Sequence, residues 1–102
     1  MRRFGKVDQN QREVIDMFRA SGAVVHSLAS LGGGVPDLLV GYRGLTHLIE
    51  VKNPHRTDKD AAAPRQAAWR ARWRGTPVLV VRTLEDVQAA LSLWNSMPWA
   101  RW

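Results

Sequence analysis

Three residues carry the clearest chemical potential in this sequence: Asp37, which closes the run Gly34-Val35-Pro36-Asp37, and the pair Glu50 and Lys52 in the run Leu48-Ile49-Glu50-Val51-Lys52. Successive side chains of a strand point to opposite faces, so Leu48, Glu50 and Lys52 share one side while His47, Ile49 and Val51 share the other. Pro36 to Tyr42 and Leu45 to Lys52 are apolar-rich and separated only by Arg43-Gly44, which predicts two antiparallel strands and a tight turn. In that hairpin Asp37 stands at about the level of Glu50. Two carboxylates and an ammonium then converge on one patch.

Such a patch suits hydrolysis of a phosphodiester, which needs charge neutralisation on the phosphoryl oxygens, a water made nucleophilic near neutral pH, and in-line geometry. Two close carboxylates disfavour joint ionisation, so a divalent cation is their natural occupant, and oxygen donors suit Mg²⁺ or Mn²⁺. Lys52 has two roles open to it: orienting or deprotonating the attacking water, or stabilising negative charge in the transition state. An isolated Glu-x-Lys would be a surface ion pair worth under about 1 kcal/mol. Here both acids stand at the polar ends of apolar strands and a glycine loop precedes them, which favours the chemical reading.

The elements that must hold this patch follow from local signals. Asp8 is a candidate cap for a helix to about Ala20, with Val14, Ile15 and Phe18 at helical spacing and Gly22 as its stop. Ala23 to Ser27 reads as a short strand, and Leu31-Gly32-Gly33-Gly34 as a loop. Asn53 to Ala63 is polar and aperiodic, an expected flap over substrate. Pro64 opens a helix to about Arg74 before Gly75, a strand is predicted at Val78 to Arg82, and Thr83 with Asp86 resembles a capping box for a helix to about Leu93. The order αβββαβα is a mixed α/β layout, a central sheet flanked by helices. It is expected to form one domain over residues 1–102, with a core at about 9–90 and a tryptophan-bearing tail at 94–102.

Composition narrows the partners. Fifteen Lys and Arg against nine Asp and Glu give a formal charge of +6, a balance that favours polyanions and nucleic acid first. Cysteine is absent, which excludes disulfides and thiolate metal sites and suits a reducing interior. No apolar run approaches the roughly 18–20 residues of a membrane span, and the basic start has no apolar signal region after it. The expected location is the cytoplasm, or the interior of a host cell for a phage-encoded protein.

Val35-Pro36-Asp37-Leu38-Leu39-Val40 followed by Leu48-Ile49-Glu50-Val51-Lys52 resembles the PD-(D/E)XK nuclease superfamily. The Gly34-Val35-Pro36-Asp37 form, Gln66 on the second helix and the Gly75 to Val81 segment are similar to the virus-type replication-repair nuclease (VRR-NUC) family and, more distantly, to Holliday-junction resolvases. The resemblance covers about residues 9 to 90. It implies a restriction-endonuclease-like fold, with Asp37, Glu50 and the backbone carbonyl of Val51 as metal ligands and Lys52 serving the nucleophilic water. It also implies that Glu13 on the first helix stands near the metal, and that Gln66 belongs to the site.

At about 100° per residue Gln66, Trp69 and Trp73 fall on one helix face, and Ala67, Ala68 and Ala71 on the other. If the tryptophan face packs inward, Gln66 lies beside the metal; if the alanine face does, Gln66 is an ordinary exposed residue. Arg65, Arg70, Arg72 and Arg74 on that helix, with Arg56 and Lys59 in the flap, offer phosphate contacts. His26, His47 and His55 lack a recognisable ligand spacing and are assigned no chemistry. A two-fold homodimer is expected, because cutting both strands or a junction needs two sites; Trp94, Trp99 and Trp102 would supply its apolar contact or else cap the domain's own core. The expected activity is Mg²⁺-dependent cleavage of DNA, branched or flapped, of the phage junction-resolvase type. The alternative is a DNA-binding module with a vestigial nuclease fold. A restriction-type enzyme would need base-reading elements for which there is little room.

Overall fold

The computed structural model describes residues 9–54 and 63–98. The proposed cap Asp8, the bulk of the expected flap with His55, Arg56 and Lys59, and the tail tryptophans Trp99 and Trp102 lie outside the described residues. The element order is α1 (Gln9–Ala20), β1 (Val24–Ser27), a 3-10 turn (Ala29–Leu31), β2 (Leu38–Tyr42), β3 (Leu45–Val51), α2 (Ala63–Arg72), β4 (Leu79–Val81) and α3 (Leu84–Asn95). This is the expected αβββαβα sequence.

The four strands form one sheet in the order β1-β2-β3-β4. β1, β2 and β3 pair antiparallel, and β4 joins β3 parallel, as a crossover through a helix requires. The turn between β2 and β3 has positive φ at both central residues, 52° at Arg43 and 83° at Gly44, the I′ pattern whose twist matches a hairpin. That turn fixes the register: Tyr42 faces Leu45 and Leu38 faces Ile49.

The core lies on one side of the sheet. Val25, Leu38, Val40, Ile49 and Val81 meet Val14 and Phe18 of α1 and Val87, Ala90, Leu91 and Trp94 of α3. Trp94 stacks on His47 at 3.8 Å between ring centroids and on Phe18 at 5.7 Å. The capping box is present: the Thr83 hydroxyl accepts from Asp86 N–H and the Asp86 carboxylate accepts from Thr83 N–H. The last helix runs beyond the expected Leu93 because its next residue, Trp94, is buried in this core and needs a helical backbone to reach it.

The other side of the sheet carries α2. Leu39, Thr46 and Leu48, which alternate with the core-facing residues, line a small cleft together with Trp73 and Thr76 just past that helix. α2 ends at Arg72 rather than Arg74, and the chain then turns so that the Trp73 indole N–H donates to the Thr76 carbonyl at 2.7 Å. Helices therefore cover both faces of a mixed sheet. Among the described residues no helix is long and apolar enough to cross a membrane.

Candidate active site

Asp37 and Lys52 flank the strands rather than lie within them. β2 begins at Leu38, so Asp37 occupies the bend just before it, and β3 ends at Val51. Both nevertheless keep strand-like positions. The Lys52 N–H donates to the Val81 carbonyl at 2.9 Å, continuing the β3–β4 ladder by one bond. Asp37 Oδ2 accepts from the Val51 N–H at 2.7 Å, which holds the carboxylate against the end of β3 next to Glu50. Continuing the β2–β3 register one step beyond Leu38 and Ile49 puts Asp37 opposite Glu50, on the α2 side of the sheet.

Glu50 is 1% exposed, and the Lys52 ammonium stands 3.8 Å from its Oε2. This is not the exposed pair that an isolated Glu-x-Lys would form. The ammonium also donates to Gln66 Oε1 at 2.6 Å. Because an ammonium only donates, that bond fixes the amide: its oxygen faces Lys52 and its NH₂ faces away. Gln66 thus reaches the site, and the tryptophan face of α2 is the one turned inward: Trp69 is half-buried, while Ala67, Ala68 and Ala71 are exposed.

The glycine loop sets where α2 can lie. Gly34 has φ +86°, and a Cβ there would stand 2.6 Å from the Arg65 carbonyl carbon and 3.1 Å from the Gln66 nitrogen. Only glycine lets the start of α2 come this close to the segment that leads into Pro36-Asp37. Sequence reasoning identified the glycine run but not this contact. It also missed Asn10, whose side-chain NH₂ donates to the carbonyls of Lys52 at 3.0 Å and Arg82 at 3.1 Å, tying α1 to the ends of β3 and β4. A single asparagine in a first helical turn carries no signal for such a clamp.

Glu13 is hydrogen-bonded within its own helix. It is exposed on α1, its carboxylate accepts from Gln9 Nε2 at 3.0 Å, and among the described residues no group of three or more His, Cys, Asp or Glu is placed to share a metal. Asn10 is the α1 residue whose side chain bonds the end of β3, and a place for Glu13 near the metal stays a proposal of the resemblance. The oxygen donors at hand for a hard cation are then Asp37, Glu50 and main-chain carbonyls. One or two carboxylates completed by water and substrate phosphates is the usual Mg²⁺ arrangement, so this donor set fits.

The arginines of α2 and its end divide. Arg65 and Arg72 are exposed, Arg70 is half-buried, and Arg74 donates to the carbonyls of Ala71 at 3.1 Å and Trp73 at 3.2 Å at the end of its own helix. His47 belongs to the core, where burial lowers its pKa below the ordinary histidine value. Trp94 is core as well, 3% exposed, which answers for that residue whether the tryptophans cap the domain or meet a partner.

A mixed sheet with helices on both faces, carrying Pro-Asp before one strand and Glu-x-Lys at the end of the next, defines a nuclease-type domain of the PD-(D/E)XK class. A solved structure titled a VRR_NUC domain is similar to it, with a TM-score of 0.58 and 30% identity over 82% of this chain and 91% of that one. The chain belongs to the VRR-NUC family. No family model matches the sequence, and no curated protein does.

Proposed function

We propose that this protein is a divalent-metal-dependent endonuclease that hydrolyses DNA phosphodiester bonds. The observation that carries the reading is the convergence of Asp37, Glu50, Lys52 and Gln66 at one end of the sheet, with Lys52 bonded to Gln66 at 2.6 Å and 3.8 Å from Glu50. Asp37, Glu50 and the carbonyl of Val51 would hold Mg²⁺ or Mn²⁺. When bound, the ion supplies charge neutralisation and lowers the pKa of water toward neutrality.

The chain's own residues do the rest. Asp37, pinned to Val51 N–H, and Glu50, buried, present their carboxylates from rigid main chain, which favours a fixed geometry. Gln66 holds the Lys52 ammonium beside Glu50, where its charge acts on a phosphate oxygen or on the attacking water. The Gln66 NH₂, turned away from Lys52, is a donor for a substrate phosphate. Exposed Arg65 and Arg72 lend phosphate contacts, and the charge of +6 agrees with a polyanionic substrate.

The preference for branched or flapped DNA, the phage junction-resolvase type and a two-fold dimer rest on the likeness to resolvases and on the need for two sites to cut two strands. Cleavage of labelled linear, nicked, flapped and four-way DNAs with Mg²⁺ tests the reading, with Asp37→Asn as control. The expected result is loss of cutting with DNA binding retained. Equal cutting by both proteins removes Asp37 from the site, and no cutting of any substrate by the native chain favours a DNA-binding module on a vestigial nuclease fold.

A further inference from the structure

Trp69 and Trp73 are left over once the metal-binding patch is accounted for. They stack on one another at 4.8 Å between centroids with 20° between ring planes, and Trp73 is 39% exposed. A core tryptophan pair would be covered; this one borders solvent. Beside it is a cavity of about 250 Å³ lined by Trp69, Arg72 and Trp73. That is smaller than the roughly 300–1,000 Å³ of pockets for drug-sized ligands, and suits one planar ring system.

The surroundings fit one kind of ring. Arg65, Trp69 and Arg72 lie at i, i+4 and i+7 of α2, so two exposed guanidinium groups bracket the indole along one stripe of the helix. No acidic residue occurs from Ala63 to Arg82 to offset them. A flat apolar platform between cations matches a nucleobase flanked by phosphates, whereas a peptide or lipid chain would need a longer apolar groove. The platform is also fixed relative to the site, since Trp69 lies about one turn beyond Gln66 on the same helix.

We infer that Trp69, stacked on Trp73 and flanked by Arg65 and Arg72, stacks an unpaired base of single-stranded DNA next to the scissile region. The inference rests on the nuclease reading for its DNA substrate and deepens it: it selects DNA with an unpaired segment, as at a flap or an open junction, over continuous duplex. A base inside a duplex is stacked on its neighbours and has no face to offer, so the platform discriminates by structure rather than by sequence.

The test measures fluorescence anisotropy of a labelled forked oligodeoxynucleotide and of the matching blunt duplex on the full chain, with EDTA present so that no cutting occurs. Trp69→Leu is expected to weaken binding of the fork by about 5- to 150-fold, the range for losing one base–aromatic stack, and to leave the duplex nearly unchanged. Trp69→Phe keeps most of the affinity. Abasic sites placed along the unpaired arm, tested with native protein, should lower affinity at one position, and that position effect should vanish in Trp69→Leu. Equal loss on fork and duplex, or native binding indifferent to abasic sites, overturns the stacking role. The assay is independent of cleavage: if Asp37→Asn cuts normally while the abasic effect holds, the metal-site assignment fails and the platform stands.

Discussion

Gly34→Ala separates the geometry of this site from its chemistry. At φ +86° an alanine costs about 1–2 kcal/mol for its backbone conformation alone. Its Cβ would also run into the Arg65 carbonyl oxygen and stand 2.6 Å from the carbonyl carbon, where ordinary contact begins at 3.4 Å, so the start of α2 must withdraw by more than an ångström to clear the oxygen. Gln66 is the next residue, and its 2.6 Å bond from Lys52 stretches accordingly. If α2 resists, overpacking adds roughly 1–3 kcal/mol to the loss of stability; if it yields, stability is spared and the site loosens, a displacement able to cost about 100-fold in rate. Gly33→Ala is the internal control, with φ +67° and no atom within 4 Å of the added Cβ. Both substitutions share the backbone cost and the change in unfolded-chain entropy, so their difference isolates the helix contact. Urea unfolding and cleavage rates with Mg²⁺ should show Gly33→Ala mildly destabilised with near-native cutting, and Gly34→Ala clearly worse in at least one readout. Indistinguishable variants would refute the idea that Gly34 sets the position of α2.

Glu50→Gln should abolish cleavage while leaving the melting temperature equal or higher, because the 1%-exposed Glu50 carboxylate faces that of Asp37 and neutralising it relieves a like-charge repulsion held for function; a large drop on calorimetry would mean that its pairing with Lys52 outweighs that repulsion and would count against the reading. Lys52→Met should slow cleavage by about 10²–10⁴-fold and Gln66→Ala by less, since Gln66 acts partly through the ammonium; the reverse ranking in single-turnover rates would reassign the roles. His47 is buried and stacked on Trp94, with its pKa lowered by desolvation, so the unfolded chain binds the proton more readily. Its contribution to stability is full above the unfolded value near 6.5 and is lost as pH falls through the lower folded value; unfolding curves across that range should slope with pH in the native chain and flatten in His47→Phe. Thr83→Ala should cost about 1 kcal/mol in urea unfolding through loss of the α3 cap, with no change in cleavage per folded molecule.

The parts legible in the sequence are those set by short-range rules. Arg43-Gly44 determines a two-residue turn, the turn determines the register, and strand alternation then places Glu50 and Lys52 on one face with Asp37 opposite. Thr83 and Asp86 announce the α3 start by their spacing, and Gln66 could be assigned to one of two helix faces by counting. The rest depends on where distant segments meet. Glu13 and Asn10 sit on the same helix, and nothing in their spacing says that Asn10 lies over the ends of β3 and β4 while Glu13 is exposed. The arginines of α2 and its end look alike in sequence, yet Arg70 is half-buried, and of the exposed three Arg74 is engaged with carbonyls at the helix end. His47 has no ligand spacing in the sequence, and nothing there signals that its ring stacks on Trp94, far along the chain, within the core.

The two halves of the site are held by different means, and this bears on how it works. Asp37, Glu50 and Lys52 belong to the hairpin at the centre of the sheet, with Ile49 and Leu38 fully buried behind them. α2 has no fully buried residue from Pro64 to Arg72 and is positioned by a few contacts, at Gly34, at Lys52 and through Trp73 at its end. An element with so little buried apolar surface is expected to open at lower free energy than the sheet it covers. Gln66 and the Trp69 platform ride on that element together, so substrate that engages the platform also favours the docked position in which Gln66 holds Lys52. Amide exchange should therefore find α2 less protected than β2 and β3 in the free protein, and forked DNA should raise α2 protection more than blunt duplex does. Protection of α2 matching that of the central strands without DNA would mean the helix is docked already, and the coupling between base stacking and the lysine would have no physical basis.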